Sequence, residues 1–343
     1  MAVRLTEIAE RAGVSVSTVS RVLNEKPGVN QHTRRQVLTA IDVLGYDRPH
    51  RLRPRSVGLV GLVMPELENP FFPRFAHLVE TNLSRNGYAP VLCSQTLGGV
   101  HEDDYVQILL EHSVSGIIFV SGNHAIVGGH PDRYLRLVDL RLPIVLVNGL
   151  MPEVPAHFVS TDDAACVELG LQHLAHMGHR RIGIALGQAR YVPVQRKAAA
   201  FRAGLVARDL VPDDLGLDDL VECTTYTVEG GMVAAQRLFE RGVTGILCGS
   251  DIIALGVIRA ARQAGLRVPD QLSVVGSDDS LLVEFTEPPL TTVRQPAAAL
   301  AEAACRELVD QITGAPVHLG EVLYQPELVV RGSTARAPDR ALS

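Results

Sequence analysis

From residue 57 onward, short apolar runs rich in β-branched residues alternate with stretches of helical periodicity. The apolar runs lie at 57–63, 90–93, 116–120, 144–147, 182–186, 245–248 and 273–276. Runs that are apolar throughout, rather than at every second position, are typical of parallel strands covered on both faces. The pattern covers more residues than one such sheet usually needs. It therefore predicts an α/β fold of two doubly wound parallel-sheet lobes with a cleft between them.

The segment 5–24 has the spacing of a helix-turn-helix. Gly13 stands where two short helices would meet steeply, and a residue without Cβ enters the left-handed region there at little cost. The apolar and small positions that would hold the helices together are Ile8, Ala9, Ala12, Val14, Val19 and Val22. The outer face of the second helix then carries the positions that in this motif enter the major groove of DNA. These are Val16, Ser17, Ser20 and Arg21.

The charge of the chain is divided in a way that an ordinary helical hairpin would not require. Residues 1–55 hold ten Lys and Arg against five Asp and Glu, so this part carries +5. The whole chain carries −6, which leaves −11 on the remainder. A basic N-terminal region on an acidic body is an electrostatic footprint for a polyanion at one end. We therefore expect the helix-turn-helix to contact double-stranded DNA.

A third helix should complete this head. Asn30 can cap its start, Gly45 can end it, and apolar residues recur between them at helical spacing, namely Val37, Ile41 and Leu44. This predicts a small all-α head over 1–46 and a basic, proline-punctuated linker over 47–56. The two-lobed domain should then span 57–331, with a polar, frayed tail over 332–343. Lobe one is expected at about 57–160 and 292–322, and lobe two at about 161–291 and 323–331.

Thiols and imidazoles give little sign of metal chemistry. No CxxC spacing occurs among the five cysteines, which are Cys93, Cys166, Cys223, Cys248 and Cys305. They are expected to be free thiols in a reducing cytosol rather than disulfides or zinc ligands. The trio His173, His176 and His179 is interpreted as polar groups at a helix end, so no metal or cofactor is expected. Met1 leads directly into the helix-turn-helix, and no apolar run approaches a membrane span, which predicts a cytoplasmic protein without a membrane partner.

Several motifs, taken in their order and spacing, resemble the LacI/GalR family of bacterial transcription regulators over about 4–332. They are VSVSTVSRVLN at 14–24, LGY at 44–46, GLVMP at 61–65, NPFF at 69–72, GHRRIG at 178–183, SDIIALG at 250–256, SVVGSDD at 273–279 and PLTTVRQP at 289–296. The resemblance implies a dimer on a pseudo-palindromic operator. It also implies a periplasmic-binding-protein-like core that closes on a small molecule, most often a sugar. Segments 65–70, 120–122 and 192–197 are similar to actinobacterial repressors of maltose and α-glucoside uptake.

By this resemblance, three residues of the second helix would set operator preference, namely Val16, Ser17 and Arg21. Arg21 can fork onto guanine, and Val16 can contact a thymine methyl. Phosphate contacts, which position the head without reading sequence, are expected from Ser15, Thr18 and Arg34. The full set expected to contact DNA is Thr6, Ser15, Val16, Ser17, Thr18, Ser20, Arg21, Asn24, Arg34, Arg51 and Leu52.

The linker departs from the family pattern, in which a short hinge helix places a leucine in the minor groove. Pro49 could start such a helix, but Pro54 would end it after one turn. Leu52 is the candidate wedge, and Arg51 is a candidate minor-groove contact. Whether a hinge helix forms is left open by the sequence.

Aromatic residues make up only 4% of the chain, with no Trp, so each one is informative. A sugar site needs polar groups for the hydroxyls and an aromatic face for the C–H side of the ring. The aromatics expected in loops at strand ends, where they would line the cleft, are Phe71, Phe72, Tyr191 and Tyr226. Packing is the expected role for one of the two Phe residues.

By the resemblance, Asp278 takes the position where the family places an aspartate on the ligand. Lys197 occupies the slot of the family's ligand-clamping arginine, while Arg196 lies one residue away, about 100° around a helix. Both are retained as candidates. Asp251 and Asp279 are expected to cap a helix and a turn instead. The full expected effector set is Asn69, Phe71, Phe72, Ser121, Asn148, Tyr191, Arg196, Lys197, Tyr226, Ser250 and Asp278.

These features predict a repressor of carbohydrate uptake or catabolism genes. Its operator affinity would be switched by a small sugar, such as maltose or a related α-glucoside, bound in the interlobe cleft. A homodimer is expected, with a tetramer left open. The alternatives are a non-sugar effector such as a nucleoside, and an α/β enzyme with an accessory DNA-binding head. No strand end carries GxGxxG, GxxxxGKS/T or GxSxG, which disfavours an enzyme, and the basic head disfavours a periplasmic sugar receptor.

Overall fold

The computed structural model describes residues 5–24, 26–44, 57–95, 98–316 and 318–338. The chain divides into two compact units, Met1–Val57 and Gly58–Ser343. The expected linker over 47–56, with Arg51 and Leu52, lies outside the described residues. The formation of a hinge helix there stays a prediction.

The first unit contains α1 (Leu5–Ala12), α2 (Val16–Leu23) and α3 (Gln31–Val43). Gly13 has φ +64° between α1 and α2, as the steep turn requires. Asn30 Oδ1 accepts a hydrogen bond from the Thr33 N–H at 2.7 Å and so caps α3. The helices enclose one small core, formed by Ile8, Ala9, Ala12, Val19, Val22, Leu23, Val37, Ala40 and Ile41. The helix-turn-helix and its third helix are confirmed.

The second unit has two lobes, and the first is built on a parallel sheet. Its strands are β1 (Gly58–Met64), β2 (Tyr88–Ser94), β3 (Gly116–Val120), β4 (Ile144–Val147), β5 (His157–Thr161) and β11 (Gly320–Tyr324). Its helices are α4 (Phe71–Arg85), α5 (Glu102–Glu111), α6 (Asp132–Asp139) and α11 (Ala297–Ile312). The strand order is β11-β5-β4-β3-β1-β2, with parallel neighbours.

The second lobe repeats this plan. Its strands are β6 (Ile182–Leu186), β7 (Val221–Cys223), β8 (Gly245–Cys248), β9 (Ser273–Ser277), β10 (Thr291–Arg294) and β12 (Glu327–Val329). Its helices are α7 (Asp163–His176), α8 (Val192–Ala207), α9 (Val228–Glu240) and α10 (Asp251–Gln263). The order is β12-β10-β9-β8-β6-β7, and β12 alone among these strands runs antiparallel to its neighbour.

The apolar runs of the sequence become strands that are covered on both faces. Residues of β3, β5 and β9 are buried along the whole strand. The first sheet has a separate apolar core on each side, one around Phe75 and one around Phe119. The helices of the second lobe close a larger core around Phe201. The predicted fold of two doubly wound lobes is confirmed.

Within the described ranges, the chain passes between the lobes after β5, after β10 and after β11. The lobe boundary predicted at 292 was wrong. Residues Thr291–Arg294 form β10 and pair with β9, so they belong to the second lobe. Apolar β-branched composition marks a strand but does not report which sheet it joins.

The tail is ordered further than predicted. Ser333 is buried, and its hydroxyl donates to the Val274 carbonyl at 2.6 Å. The Ala335 N–H donates to Ser273 Oγ at 3.0 Å, and the Ala337 N–H donates to the Met177 carbonyl at 2.9 Å. The expectation of fraying from 332 was therefore wrong as far as 337. Polar composition does not reveal that these groups find hydrogen-bond partners on the second lobe.

Most of the cysteine thiols are buried, and the His179 ring is buried and hydrogen-bonded. Cys223 is exposed, and the buried free thiols are Cys93, Cys166, Cys248 and Cys305. His179 is buried, with its ring nitrogens 2.9 and 3.0 Å from the hydroxyls of Thr244 and Ser273. Among the residues that the structure describes, no group of three His, Cys, Asp or Glu could hold a metal ion. The helices in these ranges are all too short or too polar to cross a membrane.

Candidate functional site

The second helix of the head presents a polar face to solvent. Ser15 has extended backbone angles and caps α2, accepting a hydrogen bond from the Thr18 N–H at 3.2 Å. Val19 and Val22 point into the head core. Val16 is 40% exposed. The other residues of this face are Ser17 and Arg21, which are exposed, and Ser20, which is partly exposed.

The hydroxyl and amide groups around this face are already engaged with each other. The Ser15 hydroxyl lies 2.8 Å from the Ser17 hydroxyl and 2.9 Å from the Thr18 hydroxyl. The Asn24 side-chain amide donates to the Ser20 carbonyl at 2.8 Å, at the end of α2. Ser15 and Asn24 therefore have capping roles besides any contact with DNA. Of the remaining expected contacts, Thr6 is exposed on α1, and Arg34 is partly buried on α3.

In the second unit, three of the expected effector residues stand directly after strands in a costly backbone conformation. Ser121 follows β3 at φ +46°, Asn148 follows β4 at φ +62°, and Asp278 follows β9 at φ +113°. A positive φ is unfavourable for residues that carry a Cβ and persists only where the surrounding structure holds it. Such positions cluster at binding sites, and ligands of doubly wound sheets bind at the carboxyl ends of the strands. Positive φ also occurs at Ser113, Arg141 and Asp209, but those residues follow helices. The three residues that directly follow strands lie at the sheet edge where a ligand of such a fold binds.

A buried ion pair lies in the second-lobe wall of this cleft. Lys197 Nζ donates to Asp163 Oδ1 at 2.6 Å, and both side chains are mostly buried. Burial by itself would lower the pKa of Lys197, but the Asp163 carboxylate holds that pKa above its ordinary value. Burial raises the pKa of Tyr226 to about 12, against the opposing effect of the Lys197 charge. The Asp163 carboxylate thus favours the charged form of Lys197, the residue expected in place of a clamping arginine.

Arg196 points elsewhere, although it neighbours Lys197 in the sequence. Its two guanidinium nitrogens donate to the two carboxylate oxygens of Glu321, each at 2.9 Å. Arg196 lies on α8 of the second lobe and Glu321 on β11 of the first, so the pair joins the lobes. Lys197 therefore pairs with a carboxylate of its own lobe, whereas Arg196 pairs with a carboxylate of the other lobe.

Asp278 is buried and is tied to the lobe crossings. Its Oδ1 accepts a hydrogen bond from Gln295 Nε2 at 2.6 Å. Gln295 lies at the crossing after β10, and its Oε1 accepts from the Thr161 hydroxyl at 2.8 Å, at the end of β5. Burial and repulsion from Asp251 raise the pKa of Asp278 well above its ordinary value. The Gln295 side chain therefore connects Asp278 to both crossing segments, the one after β10 and the one after β5.

The expected roles of Ser250 and Asp251 were wrong in one respect. Ser250 caps α10, with φ −158° and its hydroxyl accepting from the Ile253 N–H at 3.3 Å. Asp251 is the first helical residue, and its buried carboxylate accepts from Thr292 Oγ1 at 2.6 Å and from the Ser280 N–H at 2.7 Å. The cap needs extended backbone, which falls one residue earlier than predicted. Ser250 remains a candidate for effector contact, with its capping role added.

Asp279 does not cap a turn, contrary to expectation. Its carboxylate pairs with Arg294 at 2.7 Å and with Arg331 at 2.6 Å. The carbonyl of Asp279 accepts a hydrogen bond from Arg74 Nη1 of the first lobe at 3.0 Å. Against the opposing effect of burial, Arg331 and Arg294 hold the pKa of Asp279 below its ordinary value. Partners 15 and 52 positions away in the sequence carry no local signal.

Phe71 and Phe72 lie in the first turn of α4 rather than in a loop as predicted. Phe71 is buried and stacks on Phe75 with ring centroids 5.8 Å apart. Phe72 is only partly buried. Asn69 is buried, and its Oδ1 accepts from the Phe71 N–H at 3.1 Å. Phe71 therefore has the packing role expected for one of the two residues, and the Phe72 ring remains partly accessible to solvent.

Both expected tyrosines of the second lobe are partly buried. A Cβ at Gly187 would collide with the Tyr226 ring, so the ring packs directly on backbone there. Tyr191 forms an isolated antiparallel bridge with Ile126 of the first lobe. The Arg190 guanidinium lies 5.1 Å from the centre of the Tyr191 ring. Tyr191 thus stands at a contact between the lobes.

Sequence reasoning missed several polar groups of the cleft. Three of them, Arg74, Asp163 and Gln295, act through partners that are distant in sequence, and the fourth is Ser277. Within the described part of the chain, the buried Ser277 hydroxyl has no hydrogen-bond partner. Its position next to Asp278 was the one local signal that could have indicated it.

Comparison with known proteins follows the division seen in the structure. Residues 4–49 match the model of bacterial regulatory proteins, lacI family. Residues 171–334 match the model of a periplasmic binding protein-like domain. The HTH-type transcriptional regulator MalR of Streptomyces coelicolor is 53% identical over 344 residues, which cover 98% of each chain.

Two solved structures share the fold of nearly the whole chain. A transcriptional regulator CelR–cellobiose complex superposes with a TM-score of 0.71 at 30% identity, covering 96% of this chain and 99% of that one. A lac repressor dimer bound to operator and the anti-inducer ONPF superposes with a TM-score of 0.70 at 26% identity, covering 98% and 100%. The chain belongs to the lacI family of bacterial regulatory proteins.

Proposed function

We propose that this chain is a transcriptional repressor whose affinity for operator DNA is switched by a small sugar in the interlobe cleft. One observation carries the proposal. The chain combines an exposed polar helix face on a basic head with a cleft whose strand ends hold Ser121, Asn148 and Asp278 at positive φ. The first feature suits recognition of base edges, and the second suits a bound ligand.

The chemistry of the cleft favours a polyhydroxylated effector. Asn148, Asp278 and Lys197 would supply directional donors and acceptors for hydroxyl groups, and Tyr191, Tyr226 and Phe72 would supply aromatic faces. In this proposal Lys197 takes the place of the clamping arginine, while Arg196 acts through its ion pair with Glu321. The cellobiose bound by the neighbour CelR supports a sugar ligand. The similarity at 65–70, 120–122 and 192–197 to α-glucoside repressors makes maltose the first candidate.

The proposed partners follow from the same reasoning. Operator DNA would be bound by a homodimer, as in the lac repressor dimer bound to operator. The protein would act in the cytoplasm, where bacterial DNA is, and through binding rather than catalysis. Thr6, Ser15, Val16, Ser17, Thr18, Ser20, Arg21, Asn24 and Arg34 are proposed to contact the operator, with Arg51 and Leu52 from the linker.

A sugar titration tests the effector half of the proposal. Thermal unfolding of the full chain is measured with maltose, maltotriose, cellobiose and adenosine. A ligand at one hundred times its Kd adds about 2.7 kcal/mol and should raise Tm by several degrees. We expect maltose or maltotriose to do so. Cellobiose is the matched control, because it differs from maltose only in the stereochemistry of the linkage, and a response to adenosine alone would establish the nucleoside alternative.

A DNA-binding measurement tests the other half. A duplex selected from a random library is titrated by fluorescence anisotropy, with and without maltose. We expect Arg21→Ala to weaken binding about tenfold to hundredfold, because a bidentate contact with a base is worth about 1–3 kcal/mol. Lys26→Ala is the charge-matched control in the same head. Equal losses for the two variants would contradict base recognition by Arg21.

A further inference from the structure

A buried carboxylate lies beneath the loop that follows β3 in the first lobe. Glu102, the first residue of α5, is 1% exposed. Its Oε1 accepts hydrogen bonds from the Tyr134 hydroxyl at 2.5 Å and from Arg133 Nη1 at 2.8 Å. Its Oε2 accepts from the Asn123 N–H at 3.0 Å and from Gln95 Nε2 at 3.2 Å. Four donors from three different parts of the lobe therefore converge on one carboxylate.

The loop over 121–127 packs closely against this carboxylate. A Cβ at Gly122 would collide with Glu102 Oε2, so the backbone approaches as only glycine allows. The His124 N–H donates to the Tyr134 hydroxyl at 2.9 Å, which in turn donates to Glu102. The buried His124 ring places Nε2 3.0 Å from the Val147 carbonyl at the end of β4. Two successive backbone N–H groups of the loop thus depend on Glu102, one directly and one through Tyr134.

The same loop runs from the cleft to the opposite lobe. Ser121, at φ +46°, begins it directly after β3. Ile126 forms the antiparallel bridge with Tyr191 of the second lobe, and the Val127 N–H donates to the Arg190 carbonyl at 2.8 Å. A shift of the loop would therefore move an expected effector residue and a contact between the lobes together.

We propose that Glu102 is a positioning residue of the effector site. Its carboxylate holds the loop over 121–127 in the shape that presents Ser121 to the cleft and seats Ile126 and Val127 on the second lobe. The affinity part of this inference rests on the proposed function. A carboxylate is required because both oxygens accept hydrogen bonds, whereas an amide would place a donor against one set of donors.

The chain offers a matched control next to this residue. Asp103 also pairs with Arg133 but is 69% exposed, whereas the Glu102 side chain is fully buried. Asp103→Asn and Glu102→Gln therefore make the same chemical change next to the same arginine. Tyr134→Phe is the second test variant, since it removes the hydroxyl between Glu102 and the His124 N–H but keeps the ring that packs edge-on against Phe119.

The experiment compares the full-length wild type with Glu102→Gln, Tyr134→Phe and Asp103→Asn. Calorimetric titration with maltose gives Kd, and hydrogen–deuterium exchange follows the peptides over 121–127 and 188–191. We expect Glu102→Gln to weaken maltose binding about tenfold or more, because it leaves buried donors without an acceptor. Tyr134→Phe should weaken it less. Both should speed exchange over 121–127, and Asp103→Asn should match the wild type in each measurement.

Loss of stability alone would not produce this pattern. Leu83→Ala, a core change on α4, lowers Tm without touching the loop and provides a stability reference. Wild-type exchange over 121–127 in both Glu102→Gln and Tyr134→Phe would overturn the proposal. So would a loss of maltose affinity no larger than that of Leu83→Ala. If the wild type itself does not bind maltose, the proposed effector fails, and the exchange result alone decides the role of Glu102.

Discussion

The two walls of the cleft are built from different chemistry. The expected effector residues of the first lobe are neutral, and one of them, Ser121, begins the loop that Glu102 holds. The second-lobe wall is ionisable, with the Lys197–Asp163 ion pair and the carboxyls of Asp251 and Asp278, whose pKa values are raised by burial. Neutral groups keep the same hydrogen-bonding capacity as the pH changes. Buried ionisable groups, in contrast, cost a large free energy when one of their charges is added or removed. We therefore expect perturbations of the second-lobe wall to be larger than those of the first-lobe wall.

The largest effect should follow from removing the buried lysine. Lys197→Met leaves Asp163 buried without its partner, and breaking a buried pair in this way costs about 3–5 kcal/mol. Chemical denaturation at pH 7 measures the loss in the free energy of unfolding. Maltose binding should be lost as well. A loss below about 1 kcal/mol would show that the second-lobe wall is not organised by this charge.

The second effect is an opposite response of the two lobes to acid. Burial lowers the pKa of His124 in the first lobe to about 4, from an ordinary value of 6.5. A depressed pKa gives stability that is present above 6.5 and lost as the pH falls towards 4. Burial raises the pKa of Asp251 in the second lobe to about 6, so its contribution is full at low pH and is lost as the pH rises through 6. Each contribution is on the order of 3 kcal/mol.

Unfolding free energies at pH 7 and pH 5 separate the two groups. The quantity compared is the change in the free energy of unfolding from pH 7 to pH 5. This change should be more positive for His124→Asn than for the wild type, because the loss due to His124 is removed. It should be more negative for Asp251→Asn, because the gain due to Asp251 is removed. His77→Asn, a change at an exposed histidine of the first lobe, is the control and should follow the wild type. Identical pH responses of all four proteins would contradict the opposite electrostatic responses of the two lobes.

A third effect concerns the effector response itself. Asp278→Ala should weaken maltose binding by about 1 kcal/mol or more, the net contribution of a typical hydrogen bond, and should abolish the change in operator affinity. Operator binding without maltose should remain intact, because the head folds around its own core. Asp213→Ala, on the surface of the same lobe, is the control. Release from the operator by maltose in the Asp278→Ala protein, at wild-type concentrations, would exclude this aspartate from the site.

The smallest effect should come from the ion pair that joins the walls. Arg196 and Glu321 are partly exposed, at 30% and 10% of their side-chain surfaces, and such a pair contributes about 0–1 kcal/mol. Arg196→Met should therefore change maltose affinity less than about fivefold. The double variant Arg196→Glu with Glu321→Arg restores the pair with reversed charges and should recover the wild-type value. A loss as large as that of Lys197→Met would mean that Arg196 itself binds the effector.

Much of the architecture could be predicted because its signals are local. Gly13, the polar outer face of α2 and the cap at Asn30 each depend on neighbours within four positions, which periodicity reports directly. The apolar runs likewise predicted the strands of both sheets. The tail at 333–337 and the strand over 291–294 were misplaced because their partners, on β9 and at the end of α7, are distant in sequence.

The candidate site was predicted in outline, and its internal organisation was not. Asp278 and Lys197 were chosen by position, but their partners Gln295 and Asp163 lie 17 and 34 residues away. Glu102 had the sequence context of an ordinary acidic residue in the first turn of a helix. Its function as an acceptor for donors 21 and 32 residues away is visible only in the folded lobe.

The sequence by itself determined the kind of protein this is, since a helix-turn-helix, a basic head and two series of apolar strands are written in local pattern and composition. The tertiary structure decided which charges are buried together, which strand joins which sheet and which residues meet across the cleft. The physical reason is that these properties depend on desolvation and on contacts between distant positions. Neither is recorded in the neighbourhood of any one residue.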